Sequence, residues 1–202
     1  MSHPERTPER DAAIEAMLPL IEEHGWSIAT LRRALAEPED ASLLFPGGTA
    51  DLIETFSDLA DRQMEAAAAA ADMTEMGLTR RVRTVIGLRL EQQRINREAI
   101  RRALAFLSLP GRGLLAARMT ARTVDSIWHT AGDRSADFSW YTKRAILGAV
   151  YSATLLYWLR DHSEDGADTL EFLDRRLKGV GRIGKLRARL DRIVTRFTPA
   201  TT

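Results

Sequence analysis

Residues Ser139–Asp161 read SWYTKRAILGAVYSATLLYWLRD, and this stretch decides the fold class of the chain. No charged residue occurs from Ala145 to Leu159, so the stretch predicts a central helix that is buried on every face. The uncharged part has 15 residues, fewer than the roughly 20 that span a bilayer. Elsewhere apolar residues recur at helical spacing, and no run of residues alternates strictly as in a strand. We therefore predict an all-α protein.

Glycine, proline and capping residues divide the remaining chain into further helices. The pair His24-Gly25 is a typical helix end, and Ser27 and Thr49 are placed to cap the helices that follow them. The predicted helices span Asp11–Glu23, Ile28–Glu37, Asp40–Leu44, Thr49–Ala71, Leu78–Gln93, Asn96–Ser108, Leu114–Ala131, Ser139–Asp161, Asp168–Lys178 and Lys185–Thr195.

Composition excludes several classes of protein. The chain has 202 residues, 45% of them hydrophobic and 28% charged, which suits one domain with a real core and argues against a disordered tail. It has no cysteine, which rules out disulfides, thiol nucleophiles and cysteine-bound metals. No apolar signal segment follows the polar start, so we expect a soluble, cytoplasmic chain.

Charge is unevenly divided along the chain, because Lys178–Phe197 carries a net +6 and the remainder −5. In this segment apolar residues recur every three or four positions, with basic residues on most of the remaining helix face. Such a helix either lies on an anionic membrane or folds back onto the core. We favour the membrane. The predicted membrane-binding residues are Leu186, Leu190, Ile193, Phe197, Arg187 and Arg189.

Catalytic and metal-binding patterns are missing from the sequence. The four histidines stand alone, and no Glu-x-x-His pair of a di-iron bundle occurs. Asp161, Glu164 and Asp165 form an acidic cluster, which we interpret as a solvated loop at a helix end. We therefore predict that the protein is not an enzyme, binds no metal and needs no cofactor other than a bound lipid.

The N-terminal helices resemble the helix-turn-helix of TetR-type regulators, with the aromatic-proline step Phe45-Pro46 leading into a long helix. A DNA-reading third helix should present basic or amide side chains to the bases. Here Glu37–Leu44 holds three acids and no base. We predict a degenerate helix-turn-helix that binds no nucleic acid. A TetR-type transcriptional regulator with a hydrophobic ligand pocket is the alternative.

Aromatic residues gather at two predicted helix ends beside a polar loop, at Trp128, Trp140 and Tyr141. Exposed aromatics mark surfaces that bind partners or membranes. The same residues could instead pack the loop onto the core, and both interpretations remain open at this point.

Several motifs together resemble the coenzyme Q (ubiquinone) biosynthesis accessory proteins, which have a TetR-like fold. They are Ile-Trp-His-x-Ala-Gly-Asp-x-Ser-x-Asp over Ile127–Asp137, Trp140-Tyr141-x-x-Arg144, Leu44-Phe45-Pro46-Gly47-Gly48 and Phe172-Leu173-x-Arg175-Arg176-Leu177. The similarity extends over roughly Asp11–Val180.

This resemblance implies a non-catalytic homodimer that binds isoprenoid quinone precursors and presents them to the di-iron hydroxylase of the pathway. It implies a contact with that enzyme through a patch that includes Trp140 and Tyr141, to which we add Trp128 and Arg144, and docking on the membrane through the last helix. Because the chain shows no mitochondrial targeting extension, we expect a bacterial member, peripheral on the cytoplasmic membrane.

Three parts of the chain follow from this reading: a degenerate helix-turn-helix region (residues 1–48), a helical lipid-binding and dimerisation domain (49–180) and a membrane-docking helix (181–202). We predict an apolar cavity between the helices that hold Ile100–Leu107, Leu114–Trp128 and Ile146–Trp158. The predicted lipid-binding residues are Phe106, Leu107, Leu115, Met119, Ile127, Leu147, Val150 and Leu155.

Overall fold

A computed structural model of the chain describes residues 3–133 and 139–179, with the backbone alone for residues 139 and 140. The described residues form helices and connecting turns and contain no strand, so the all-α prediction is confirmed. The helices are α1 (Pro8–His24), α2 (Ile28–Ala34), α3 (Ala41–Leu44), α4 (Thr49–Ala70), α5 (Leu78–Gln92), α6 (Arg97–Leu107), α7 (Gly113–Thr130), α8 (Ser139–Trp158) and α9 (167–179).

Local capping signals explain most of the helix ends. The hydroxyl of Ser27 accepts a hydrogen bond from the Thr30 amide at 3.0 Å, and Gly25 ends α1 with a positive φ of 70°, both as predicted. The predicted cap at Thr49 is wrong. Thr49 is the first residue of α4, and its hydroxyl donates to the carbonyl of Trp26 at 3.3 Å.

Helix α2 ends three residues earlier than predicted. Leu35 is already extended, and a proline at position 38 disfavours helical backbone at the residue before it. A short 3₁₀ turn, Pro38–Asp40, follows and leaves only one turn of helix for α3. The sequence therefore stops α2 before it can run into the acidic segment.

Arg10 joins α1 to the start of α4. Its guanidinium is buried, donates to the Leu44 carbonyl and to Thr55 Oγ1 at 2.9 Å, pairs with Asp51, and lies 4.4 Å from the centroid of the Phe45 ring. Charge-assisted hydrogen bonds of this kind are stronger than neutral ones. The N-terminal helices are thus fixed to the larger helical body.

The larger body is a bundle in which α4 packs against α5 and α7, and α7 packs against α8. Helix α9 closes one end, where Phe172 stacks on Tyr157 with ring centroids 4.6 Å apart and Asp174 pairs with Arg83 at 2.9 Å. Among the described residues, no helix is both long enough and apolar enough to cross a membrane.

The prediction that α8 is buried on every face is wrong. Leu147, Val150, Tyr151 and Trp158 are buried, but the opposite face is open and Leu156 is 57% exposed. A helix without charged residues can be buried but need not be, because small and apolar residues are also common on protein surfaces. In the described residues, α8 therefore presents one apolar face outward.

Asp161 is not part of a solvated loop, as we had expected from the acidic cluster. It is only 5% exposed and accepts hydrogen bonds from the backbone amides of Ser163 (2.8 Å) and Thr169 (2.9 Å), and from the hydroxyls of both residues. Burial alone would raise the pKa of this carboxyl, but these hydrogen bonds lower its pKa to about 2. Asp161 thereby fixes the start of α9.

We predict that Asp161→Asn lowers the free energy of unfolding at pH 7 by up to about 2 kcal/mol, because each pKa unit corresponds to about 1.4 kcal/mol. The folded-state pKa lies below that of the unfolded chain, so this contribution is complete above about pH 4 and is lost as the pH falls towards 2. Urea unfolding at a series of pH values measures it. Asp165→Asn is the control, since Asp165 makes only an exposed ion pair with Arg94. Equal effects of the two variants would contradict the assignment.

Candidate functional site

A cavity of about 210 Å³ lies between α4, α5, α6, α7 and α8. Most of its wall is apolar, and the polar residues are concentrated on α5, α7 and α8. The residues that line it are Ile53, Phe56, Ser57, Arg89, Ile100, Leu104, Leu107, Ser108, Ala116, Met119, Thr120, Thr123, Tyr151 and Leu155. We call it the inter-helix cavity. The three helices predicted to enclose a cavity do so, while the contributions of α4 and α5 were not predicted.

The predicted lipid-binding residues are divided among several places. Leu107, Met119 and Leu155 line the inter-helix cavity. Leu147 and Val150 line a second cavity of about 160 Å³, beside Trp128.

The other three predicted residues line neither cavity. Ile127 is fully buried in the core, and Phe106 and Leu115 pack half-buried against it. Arg112 lies over the ring of Phe106 at 4.6 Å. Apolar character identified these residues as interior but could not assign them to one cavity.

A buried ion pair stands at the polar end of the inter-helix cavity. Arg89 on α5 donates from Nε to Asp61 Oδ1 on α4 at 2.8 Å, and Thr123 on α7 donates its hydroxyl to Asp61 Oδ2 at 3.0 Å. The Arg89 guanidinium also lies 5.6 Å from the ring centroid of Tyr151 on α8. Four helices therefore contribute to one polar cluster, which we call the Arg89 cluster.

Burial and charge act in opposite directions on these groups. Burial raises the pKa of Asp61, against the effect of the neighbouring Arg89. Burial also opposes the charge on Arg89, but Tyr151 and Asp61 outweigh it and raise the pKa of the guanidinium. Arg89 therefore stays positively charged inside the protein.

Sequence analysis missed the Arg89 cluster, although one signal was available. The apolar face of α5 is formed by Val82, Val85, Ile86 and Leu90, and Arg89 occupies the same face at spacings of three and four residues. A charged residue on a buried stripe is rare unless it is paired. Its partner, Asp61, is 28 residues away in sequence, and only the fold brings the two together.

A wide groove of about 990 Å³ adjoins the inter-helix cavity between α6 and the end of α8. Leu104 and Ser108 line both spaces. The groove continues along Ala105, Leu156 and Tyr157, and its far side is polar. The apolar wall of the cavity thus extends onto a surface that is open to solvent.

The predicted partner-binding residues do not form one exposed group. Tyr141 is 78% exposed, near the start of α8. Arg144 is partly buried and pairs with Asp125 on α7. Trp128 is half-buried beside the second cavity, and its indole nitrogen is buried without a hydrogen-bond partner among the described residues. Trp128 therefore packs against the core, which is one of the two interpretations that the sequence left open.

Two groups of predicted site residues lie outside the part of the chain that the structure describes. The side chain of Trp140 lies outside the described residues. The same holds for the whole predicted membrane-binding set, Leu186, Leu190, Ile193, Phe197, Arg187 and Arg189. Within residues 3–133 and 139–179, no group of three or more histidine or acidic side chains could hold a metal ion.

The comparison with known proteins agrees with the resemblance. The COQ9 family model matches residues 114–184, which run from the first turn of α7 to beyond α9. Ubiquinone biosynthesis protein COQ9 of Xenopus tropicalis is 30% identical over 181 residues, covering 85% of this chain and 57% of that protein. The coq9 protein of Schizosaccharomyces pombe is 32% identical over 155 residues, covering 77% of this chain and 62% of that one. The chain spans about three fifths of the length of these relatives.

The fold has a close counterpart among solved structures. A TetR transcriptional regulator from Nitrosomonas europaea superposes with a TM-score of 0.70 and 24% sequence identity, covering 85% of this chain and 97% of the regulator. At this identity the likeness concerns the fold alone.

The names of the relatives also correct one expectation. The COQ9 proteins of Xenopus tropicalis and Schizosaccharomyces pombe are both named mitochondrial, which points to mitochondria. The prediction of a bacterial chain on the cytoplasmic membrane is therefore wrong. Over residues 114–184 the chain matches the COQ9 family model, and it has the fold of a TetR-type regulator.

Proposed function

We propose that this chain acts in ubiquinone biosynthesis as a lipid-binding accessory protein that catalyses no step itself. The observation that carries the proposal is the inter-helix cavity, an apolar space with one charged end. Small-molecule sites are concave, mostly apolar and provided with a few polar groups that orient the ligand. The relatives contribute the pathway, since their names give ubiquinone biosynthesis and no reaction.

The size of the cavity fits one end of an isoprenoid quinone precursor. Pockets for whole drug-sized ligands measure about 300–1,000 Å³, and this cavity is smaller. It can enclose a ring while the chain of the lipid leaves past Leu104 and Ser108 into the adjoining groove. Every 100 Å² of apolar surface removed from water in this way contributes about 2.5 kcal/mol.

Membrane docking by the last helix belongs to the same proposal. Five basic residues follow Gly184, and Leu186, Leu190, Ile193 and Phe197 form an apolar stripe among them. The basic side chains would attract anionic headgroups while the stripe enters the interface. A lipid carrier needs such a contact, because its ligand is stored in the bilayer.

Presentation of the lipid to the di-iron hydroxylase would use the start of α8. Tyr141 is exposed there and Trp140 precedes it in the same helix. Aromatic residues contribute disproportionately to protein interfaces. The ion pair of Arg144 with Asp125 ties this part of α8 to α7, which also lines the inter-helix cavity.

The outward face of α8 supports the homodimer. Ala145, Ala149 and Leu156 recur along it at spacings of four and seven residues, and all three are exposed. A continuous uncharged face of this kind suits packing against its own copy about a two-fold axis. Sedimentation velocity of the purified chain tests it, and a monomer at micromolar concentration would refute the dimer.

A DNA-binding function has no support in the N-terminal helices. The helix at the reading position, α3, has four residues, and the preceding Glu39 and Asp40 are exposed acids. Acidic side chains repel phosphates, which supply most of the affinity for DNA. We therefore propose that this region is structural and that no nucleic acid is a partner.

Filling the inter-helix cavity tests lipid binding. We predict that Ala116→Trp removes most of the isoprenoid lipid that co-purifies with the protein, because the indole occupies the space of the ligand. Ala117→Trp is the matched control, since Ala117 is exposed on the same helix. Mass spectrometry of organic extracts quantifies the lipid, and thermal melts verify folding. Lipid content that is equal in both variants, or absent from the wild type, would contradict the proposal.

Deleting residues 185–202 tests membrane docking. Each basic residue near an anionic surface is worth about 1 kcal/mol, and the apolar side chains add to this, so we expect the truncated protein to lose co-sedimentation with anionic liposomes. A variant with the five basic residues replaced by glutamine separates the two contributions and should bind partially. If the truncated protein sediments with liposomes as the full chain does, another surface is the anchor.

Replacing one exposed aromatic residue tests the hydroxylase contact. We predict that Tyr141→Ala weakens association with the di-iron hydroxylase by about tenfold, with little change in melting temperature, because Tyr141 is exposed. Ile95→Ala is the control, since Ile95 is an exposed apolar residue elsewhere on the surface. Biolayer interferometry measures both. Loss of folding in Tyr141→Ala, or unchanged affinity, would refute the assignment.

A further inference from the structure

The Arg89 cluster leaves hydrogen-bond donors directed at the inter-helix cavity. Arg89 uses Nε for Asp61, and no hydrogen bond joins its two terminal nitrogens to any residue that the structure describes. The hydroxyl of Tyr151 likewise has no hydrogen-bond partner within the described part of the chain, and both side chains line the cavity. Both residues are only 5% exposed. A few polar groups on the wall of a mostly apolar cavity are what orients a ligand there.

We propose that Arg89 and Tyr151 bind an uncharged oxygen atom on the ring end of the lipid and so fix that end at the inner wall of the inter-helix cavity. This inference rests on the proposed function and gives its site a ligand chemistry. The oxygen would accept a hydrogen bond from a terminal nitrogen of Arg89, with the Tyr151 hydroxyl beside it. The remaining wall, with Leu107 and Leu155, would hold the apolar part of the ring.

Charge decides between an uncharged and an anionic ligand. Arg89 is the one charged residue among those that line the cavity in the described structure, and Asp61 lies directly behind it. The pair has no net charge, so a ligand anion would add an uncompensated charge to a buried site. An uncharged acceptor satisfies the free donors without that penalty. By neutralising Arg89, Asp61 makes the site selective for uncharged acceptors such as hydroxyl, ether or carbonyl oxygens.

The position of the cluster also orients the ligand. Arg89 lies on α5 and Tyr151 on α8. The opening towards the groove is formed by Leu104 on α6 and by Ser108, the residue that follows α6. A molecule whose oxygen lies on Arg89 therefore has its far end towards the groove. The polar ring enters first, and the apolar chain stays outside.

Three small probes with the same apolar part test this selectivity: 4-propylphenol, propylbenzene and 4-propylbenzoate. Dissociation constants come from titrations of the full chain, stripped of lipid and followed by NMR. We expect the wild type to bind the phenol at least tenfold more tightly than the hydrocarbon and the benzoate. Tyr151→Phe should reduce this preference several-fold. Thr142→Val is the matched control, since it removes an exposed hydroxyl from the same helix at a position that lines neither the cavity nor the groove.

A double variant removes the other donor without leaving a buried charge. Arg89→Met with Asp61→Asn retains an acceptor for Thr123 and should bind phenol and hydrocarbon within about twofold of each other. Should this variant fail to fold, Tyr151→Phe alone decides the matter. Equal binding of phenol and hydrocarbon by the wild type would overturn the inference, and tighter binding of benzoate would show an anion site instead. Neither result touches the lipid content of the wild type and Ala116→Trp, which judges the proposed function separately.

Discussion

The ion pair between Arg89 and Asp61 is the constraint on which the helical body depends. It joins α4 to α5, and through Thr123 and Tyr151 it also engages α7 and α8. Leaving one partner of a buried pair alone costs about 3–5 kcal/mol, a large part of the stability of a domain. A pair of apolar residues could hold the same helices together as firmly. The presence of two charges here is therefore better explained by the cavity that Arg89 lines than by stability.

The N-terminal helices show the same use of a buried arginine for a different purpose. Arg10 contacts Leu44, Asp51, Thr55 and the Phe45 ring, and it also lies 3.8 Å from the exposed carboxylate of Glu5. These contacts fix the aromatic-proline step against α1, so the arrangement typical of a TetR regulator persists while its reading helix is reduced to one turn. The same fold can carry different functions, because its helices stabilise one another whatever the outer surface contacts.

The COQ9 domain and the inter-helix cavity overlap only in part. Residues 114–184 include α7, α8 and α9, and so hold Thr123 and Tyr151, whereas Asp61 and Arg89 come from α4 and α5. The site therefore spans the family domain and the helices before it. Tyr141 and Arg144 also belong to the domain, at the opposite end of α8 from the groove. A single helix would thus connect ligand and partner surfaces in the proposed function.

Local chemistry by itself determined the order of the helices over residues 3–133 and 139–179. Ser27 and Gly25 act within a few residues of their own position, and the periodicity of apolar residues requires no knowledge of the fold. The prediction of a cavity came with the family resemblance, and it named three of the five helices that line the inter-helix cavity. The family motifs, read from the sequence, identified the family whose model matches residues 114–184.

The tertiary structure decided what each polar residue does. The role of Arg89 depends on its contacts with Asp61 and Tyr151. Asp161 is a buried helix cap only because the backbone amide of Thr169 donates a hydrogen bond to it. The sequence did not predict the outward face of α8, because an uncharged residue can lie on a buried or on an exposed face of a helix. Sequence periodicity reports how strongly a residue avoids water, whereas pairing and exposure depend on neighbours that are distant along the chain.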